Sequence, residues 1–494
     1  MPNYTRRAVR GAGIVFIMMV LSYFLGYLFR LILARELGVA SYGLVYGIIA
    51  LFGFFSIFMN LGLNSALVKY IAEFKAQNKL EELKGSILIV FLSKLLLTVL
   101  TCGILILFSD KIASDYLNAP QASILIKIYG IAIIFSVISS TLRSSFRGFQ
   151  SMKYYSSTDF IKSVLALTIT SFLLMLGFKE IAPILGFTLT FAILPLIYFP
   201  LLTKIFPELI HVKAELSKSL AKKLFTFGIP VVFTGLAGMI FGYTDTILLT
   251  YFRTLKEVGL YNVALPTMKV ISVIGVAFTS ILFPLSSELW AKKRKDQLGK
   301  GLGMLYKYAL ILVFPLALLM FLFPEIILGI LFGGEFKAAG GVLRILAIGY
   351  LINTLSGVNN TTLSGIGKPK EVSKIMFSGA CMNLILNLIL IPFYGMEGAA
   401  ISTTISFLFL FILSTLKIKK DIFFTLPWKS FSILAMSGIL IASLTYLIKS
   451  LDFLDIWSKL ILTIIIGTSI YLIFLVGTKT LTLKEIKNIW DRVK

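Results

Sequence analysis

Four ionisable side chains sit in stretches too apolar to welcome them: Arg30, Lys94, Asp245 and Lys269. A cation at mid-bilayer costs roughly 2.5–3.5 kcal/mol on insertion scales, so such groups are expected to face protein or a wet cavity rather than lipid. Arginine offers a planar fork that matches phosphate oxygens, and lysine a point charge that also binds them. Three cations of this kind favour an anionic over a cationic partner. Asp245 suits ion coupling, or pairing with one of the cations across the molecule. Helical spacing gives these charges polar company: Tyr23, Tyr27 and Arg30 share one face, as do Ser56, Asn60 and Asn64. Thr234, Gly238, Gly242 and Asp245 form a third stripe, and Asn262, Pro266 and Lys269 a fourth. Stripes of this kind line cavities or helix seams. Asn383 and Asn387 are expected to pack helices. Lys127, Lys162, Lys307, Arg344 and Lys459 lie near the ends of apolar runs and are expected to snorkel to the interface.

Other chemistry is missing its parts. The single histidine, His211, lies in a polar loop, and Cys102 and Cys381 occupy separate apolar runs. No zinc site, histidine-based triad, proton relay of histidines or disulfide framework can be assembled from them. No cofactor or metal is implied. Asp159 and Glu288 join Asp245 as the acids in or near apolar runs. The longest loops, about 20 residues, hold no D-x-D pair of the sort a membrane-embedded glycosyltransferase would use. The chain is expected not to be an enzyme.

The elements that must hold the charges follow from composition. Of 494 residues 58% are apolar and 14% charged, with a mean hydropathy of +0.94. Soluble chains usually carry about 25% charged residues, and a membrane span needs roughly 20 mostly apolar ones. A soluble enzyme, a secreted disulfide scaffold and a disordered chain are excluded. Fourteen apolar segments can be marked, near 13–33, 44–63, 86–108, 124–142, 160–177, 181–202, 224–252, 260–285, 306–331, 342–363, 373–393, 399–416, 428–448 and 456–476. The expected fold is an all-α polytopic membrane protein. The N-terminal arginines before the first segment read as the flank of an uncleaved helix, which is too long for a signal peptide. The net charge is +24, but its distribution matters more: one set of loops and termini carries 32 Lys and Arg, the opposite set 7. By that bias both termini are expected on the cytoplasmic side, and the expected location is the cell membrane. The run Lys292-Lys293-Arg294-Lys295 reads as a topology determinant beside anionic lipid and not as a nucleic-acid site.

Three short matches recur at nearly one offset. Gly43 pairs with Gly259, Gly148 with Gly365 and Gly177 with Gly395, and the offset grows by a single position from each pair to the next. Each pair stands at the same place in the helix order. Two six-helix repeats follow. Because six is even, they run parallel, related by an axis along the membrane normal. The expected domains are an N-lobe at 1–215, a C-lobe at 216–420, and an appended helical hairpin with a cytoplasmic tail at 421–494. Prolines 230, 266, 284, 315 and 324 interrupt the second lobe, whereas Pro183 and Pro195 lie in or near spans of the first. The second lobe is therefore expected to bend more.

Three stretches carry a family likeness. One runs from Arg30-Leu-Ile-Leu-Ala-Arg35-Glu-Leu-Gly38 through Tyr42-Gly43 to Asn60-Leu-Gly-Leu-Asn64. The second is Leu331-Phe-Gly-Gly-Glu335-Phe. The third runs from Leu363-Ser-Gly-Ile-Gly-Lys368 through Asn383-Leu-Ile-Leu-Asn387 and Pro392-Phe-Tyr-Gly395 to Gly398-Ala-Ala-Ile. Over nearly the whole chain these resemble the polysaccharide transporter family of lipid-linked oligosaccharide flippases, within the multidrug/oligosaccharidyl-lipid/polysaccharide exporter superfamily. The resemblance implies two six-helix lobes working by alternating access. It implies a polyprenyl-(pyro)phosphate-linked oligosaccharide carried from the cytoplasmic to the outer leaflet for polysaccharide or glycoconjugate biosynthesis. Its implied partners are that substrate, membrane lipid, and glycosyltransferases or polymerases; no nucleic acid is implied. Arg30, Lys94 and Lys269 would supply cavity cations, with Tyr23, Tyr27, Asn60, Asn64 and Asn262 as polar lining. The alternative is a multidrug or cation antiporter of the same superfamily. Helix 1 departs from both neighbours: Tyr23 and Phe29 are neutral where peptidoglycan-precursor flippases are densely charged, and it lacks the carboxylate common in drug antiporters.

Overall fold

The computed structural model describes residues 2–450, 455–478, 480 and 481; the side chains of 2–12, 234, 273, 274, 276–278, 280, 281 and 456 are outside that description. The tail read as cytoplasmic lies outside the described residues from 482 onward. All regular structure among the described residues is helical, as apolar runs require when water is unavailable to their backbone groups.

The first repeat comprises α1 (Pro2–Asn60), α2 (Leu63–Ala76), α3 (Leu80–Leu107), the short α4 (Ser109–Lys111) with a π-turn (Ile112–Tyr116), α5 (Ala122–Gly148), α6 (Met152–Met175) and α7 (Ile181–Ile205). The linking α8 (Glu208–His211) leads to α9 (Lys218–Phe252), α10 (Leu255–Ala291), α11 (Lys295–Leu322), α12 (Pro324–Phe332), a 3-10 turn (Gly334–Ala339), α13 (Gly340–Gly365) and α14 (Pro369–Lys419). The appended pair is α15 (Trp428–Lys449) and α16 (Ile456–Gly477), which pack on each other. The Oγ of Ser217 caps α9 by accepting from the Leu220 amide at 3.1 Å, and Asp455 caps α16 at the amides of Trp457 and Ser458.

Among the described residues ten helices are long and apolar enough to cross a membrane, or eleven with the bent pair Lys218–Phe233 and Gly235–Phe252. Two of the ten are twice the needed length. α1 spans 59 residues and α14 spans 51, against roughly 20 for one crossing. Each is broken at a glycine whose backbone is not helical: Gly38 at φ 73°, ψ 175°, and Gly395 at φ 55°, ψ −132°. The sequence reading divided both runs near these points. It placed the bends at prolines, and there the structure differs. The pair in α9 is bent by 51°, with Pro230 a few residues before the break. Pro266, Pro284 and Pro315 instead sit inside continuous helices, and Pro392 lies three residues before the break at Gly395. Pro200 also lies inside α7, so the first repeat is not poorer in helical prolines than expected. A proline deletes one hydrogen bond, which a membrane helix tolerates, whereas a left-handed residue redirects the chain.

The chain divides into two compact units. One comprises Met1–Val263, Leu331–Glu335 and Leu384–Ala399, the other Ala264–Ile330, Phe336–Asn383 and Ala400–Lys494. These boundaries fall within α10, α12 and α14, not between the repeats, because one end of each of those helices packs against α1 or α9. In the first unit α1 packs on α6 and α9, and α5 on α3 and α7. One core cluster of this unit is filled by Leu67, Ile71, Phe146, Leu194, Tyr198 and Leu224. In the second unit α11 packs on α13 and α15. Tyr471 of α16 donates its hydroxyl to the Ile311 carbonyl at 2.8 Å, tying the appended hairpin to α11.

Two of the three glycine pairs occupy matching close approaches, and the third matches in backbone conformation. A Cβ on Gly148 would come within 2.8 Å of Ile71 Cβ, and one on Gly365 within 2.7 Å of Ser286 Cβ. Gly177 and Gly395 both have left-handed φ, 87° and 55°. Gly43 and Gly259 meet one another: a Cβ on Gly43 would overlap the Leu255 carbonyl, and one on Gly259 the Val39 carbonyl. Two equivalent positions that touch are what a two-fold relation between duplicated halves produces at its axis.

Candidate functional site

The polar centre of the first unit is built around this glycine crossing. Because α1 and α10 approach backbone to backbone, side chains one and two turns away are brought together. Arg30 Nη1 donates to Tyr42 Oη at 3.5 Å and to the Asn262 carbonyl at 3.3 Å, and its guanidinium lies 4.2 Å from the Tyr46 ring centre. Tyr42 also donates to the Asn262 carbonyl, at 3.3 Å. The Asn262 side chain donates to Thr246 Oγ1 at 3.1 Å and the Val258 carbonyl at 3.0 Å. One residue along each helix, Tyr261 donates to Asp245, and Asn387 Nδ2 donates to Asp245 Oδ1 at 2.6 Å. Asp245 is buried, 4% exposed.

Arg30 and Asp245 thus belong to one polar network, linked through Asn262 and Thr246. They are not joined to each other: the hydrogen bonds of Arg30 go to a phenol and a carbonyl. Its charge is met by neutral dipoles and an aromatic face, which hold a guanidinium without neutralising it.

Lys94 lies elsewhere in the unit, 3% exposed. Its ammonium donates to Asn64 Oδ1 at 2.8 Å and Ser140 Oγ at 2.6 Å. Asn60 Oδ1 in turn accepts from the Asn64 backbone amide at 3.2 Å. The two sit on different helices, α1 and α2, across the left-handed turn at Leu61 and Gly62, so they are not the single helix face read from sequence, and Ser56 bonds the Gly53 carbonyl instead. Lys269 is exposed and belongs to the second unit. Tyr27 stands edge-on to Phe332 at 6.0 Å. Tyr23, 64% exposed, lines a separate cavity.

Three sets of residues were missed from sequence. Tyr42 and Tyr46 hold Arg30 but sit beyond the Gly38 break, so their helical register with Arg30 is lost. Asn387 was read as helix packing, which describes Asn383 (its Nδ2 donates to Thr403 Oγ1 at 3.3 Å) but not Asn387, which holds a carboxylate. The third set is the cavity at Tyr23. It has a volume of about 410 Å³ and contains Arg143, Tyr155, Asp159 and Lys162. Its one legible signal was the spacing of Tyr155, Asp159 and Lys162 on a single helix face.

The helix ends near Gly38 and Gly395 are clamped within the same unit. Arg35 Nε donates to the Leu331 carbonyl at 2.9 Å. Arg253 Nε donates to Glu257 at 3.0 Å, and Glu257 Oε2 accepts from the Met396 amide at 3.1 Å, just past the turn at Gly395.

The apolar helices and the family to which the sequence belongs define a membrane transporter of the multidrug/oligosaccharidyl-lipid/polysaccharide exporter class. The chain belongs to the family of polysaccharide biosynthesis proteins, whose sequence model matches residues 8–290, and the MatE model matches residues 230–389. It is 31% identical to an uncharacterized membrane protein of Methanocaldococcus jannaschii over 99% of both chains. It is 28% identical to a probable low-salt glycan biosynthesis flippase, Agl15, of Haloferax volcanii over 44% of this chain and 48% of that one. The solved lipid II flippase MurJ in an inward closed conformation shares the fold, with a TM-score of 0.75 at 17% identity over 93% of this chain and 97% of the other.

Proposed function

We propose that this transporter flips a polyprenyl-(pyro)phosphate-linked oligosaccharide from the cytoplasmic to the outer leaflet by alternating access. The observation that carries the reading is Arg30: a guanidinium deep in an apolar helix, held by phenols and a carbonyl and left with its charge. Such a group attracts an anion, and a planar fork suits phosphate oxygens. Lys94, with its amide and hydroxyl partners, adds a second cation to the same unit, and Lys269 is the candidate cation of the other. The named function of the Haloferax relative, a glycan biosynthesis flippase, agrees with a saccharide on the other side of the phosphate. No bond in the substrate is broken. The lipid tail stays in the bilayer while the head crosses through the protein, and the clamp at Arg35, Arg253 and Glu257 opens to release it. Both termini lie in the cytoplasm, on the side of the lysine-rich loops. The lobes that move are the repeats at 1–215 and 216–420, with 421–494 riding on the second.

Asp245 favours a second reading, a cation antiporter, since a buried carboxylate can bind and release a proton or cation; the MatE match agrees with it. In the flippase reading Asp245 couples an ion to the same cycle. Reconstitution in liposomes separates the two. Transfer of a fluorescent polyprenyl-pyrophosphate oligosaccharide that collapses in Arg30→Ala and Lys269→Ala is the expected result. Efflux of a cationic dye with no saccharide movement would replace it with the antiporter.

A further inference from the structure

The cavity at Tyr23 lies where α1, α5 and α6 meet, toward the end of the unit that carries the basic loops. Its charged wall is an ion triad. Arg143 Nη2 donates to Asp159 Oδ2 at 2.5 Å and to Tyr155 Oη at 3.1 Å, and the guanidinium lies 4.4 Å from the Tyr155 ring centre. Lys162 Nζ lies 3.8 Å from the other Asp159 oxygen. Two cations thus share one carboxylate and leave a net positive charge. Arg143 Nε is buried with no hydrogen-bond partner among the described residues, a donor that Asp159 does not satisfy. From α1 the cavity is lined by Val15 and Met19, which are apolar, and by Ser22 and Tyr23. That helix presents Phe16, Ile17, Val20 and Leu21 outward, all exposed, beside the opening.

The second repeat shows what this place looks like without the charges. Carried forward by the offset that relates Gly148 to Gly365, Arg143 falls on Asn360 and Asp159 on Met376. They too are in contact, Asn360 Nδ2 donating to Met376 Sδ at 3.6 Å. The same contact between equivalent helices is therefore made by a neutral pair in one repeat and an ion pair in the other. Holding the two helices together does not require charge.

We propose that this cavity is an entry subsite for the phosphoryl head of the lipid-linked substrate, used before the head reaches Arg30. Asp159 holds Arg143 and Lys162 in place while the site is empty and yields them to phosphate oxygens. Val15 and Met19 take the first carbons of the tail. The proposal rests on the flippase reading for the identity of the lipid, but phosphate-amphiphile binding can be tested without transport.

The test is equilibrium binding of farnesyl phosphate to the whole protein in phosphatidylcholine nanodiscs, with farnesol, inorganic phosphate and phosphatidylglycerol as competitors. Binding at least tenfold weaker in R143Q and in K162Q, and several-fold tighter in D159N, is expected, because D159N removes the competing carboxylate and keeps its shape. A purely structural triad would weaken in all three. Equal competition by farnesol or by inorganic phosphate overturns the amphiphile-phosphate assignment, and equal competition by phosphatidylglycerol overturns its dedication to the substrate. Should R143Q not fold, K162Q and D159N still decide the outcome by moving in opposite directions. Saccharide transfer in liposomes that is unchanged in K162Q, with farnesyl phosphate binding also unchanged, sinks the subsite and spares the flippase. Binding as expected with no transfer by the native protein does the reverse.

Discussion

The two repeats agree where backbone geometry is concerned and disagree where charge is concerned. Gly43 meets Gly259, Gly148 and Gly365 each receive a neighbouring helix, and Gly177 and Gly395 each turn the chain through left-handed backbone. The charges obey no such symmetry. Arg30 precedes Asp245 by nearly the offset of the glycine pairs, so a cation in one repeat stands near the place of an anion in the other. At the offset of Gly148 and Gly365, Lys94 has Ile311 as its counterpart, and Arg143 with Asp159 has Asn360 with Met376. A duplicated scaffold needs its close approaches in both halves because packing fails in either half without them. A substrate with one charged end needs its receptors only along the route that end takes. On the proposed function, scaffold positions stay paired while the charged positions diverge.

The comparison can be broken most forcefully at the crossing. Gly43→Ala and Gly259→Ala should each destabilise the protein by about 3 kcal/mol, since the new methyl meets backbone that cannot rotate away. The thermal midpoint in detergent should fall similarly for both; a large loss at one and none at the other would end the idea of an equivalent pair. Next in size is Arg30→Gln, expected to slow saccharide transfer by about 10- to 100-fold, a hydrogen bond from a charged group being worth roughly 1.5–3 kcal/mol. Asp245→Asn should alter dependence on the ion gradient and leave binding of the phosphate headgroup within about twofold, which a substrate contact of that strength would not.

Transplanting the neutral pair into the first repeat, Arg143→Asn with Asp159→Met, should lower farnesyl phosphate binding by about tenfold, as the loss of one charged contact would. The thermal midpoint should move by only a few degrees if the pair is dispensable for packing. The smallest effect is expected at Gly177→Ala, about 1 kcal/mol from left-handed backbone alone, because a Cβ there meets nothing within 4 Å. Gly395→Ala should cost more, as its Cβ would collide with the Glu257 carboxylate inside the clamp. Equal losses at the two positions would show that the clamp adds nothing.

Much of this was legible in the amino acids. Apolar run lengths, the lysine bias of one set of loops and the three glycine offsets together specify a helical, duplicated membrane protein. Each of these is a local property or a count. Arg30, Lys94 and Asp245 could be singled out because a charge in an apolar run is anomalous wherever the helix ends up. Their neighbours were another matter. Tyr42 and Tyr46 reach Arg30 only because Gly38 breaks the helix between them, and Asn387 reaches Asp245 from a helix far along the chain.

The sequence by itself determined that charges would be buried in helices, since the insertion cost of an ion depends on its surroundings in the chain. Only the tertiary structure decided which charges are met by which groups. That the partners of Arg30 are phenols and a carbonyl, while Arg143 is met by a carboxylate, follows from helix crossings set by long-range packing. The difference between a cation held by neutral groups and one held by a carboxylate lies in a few ångströms between helices.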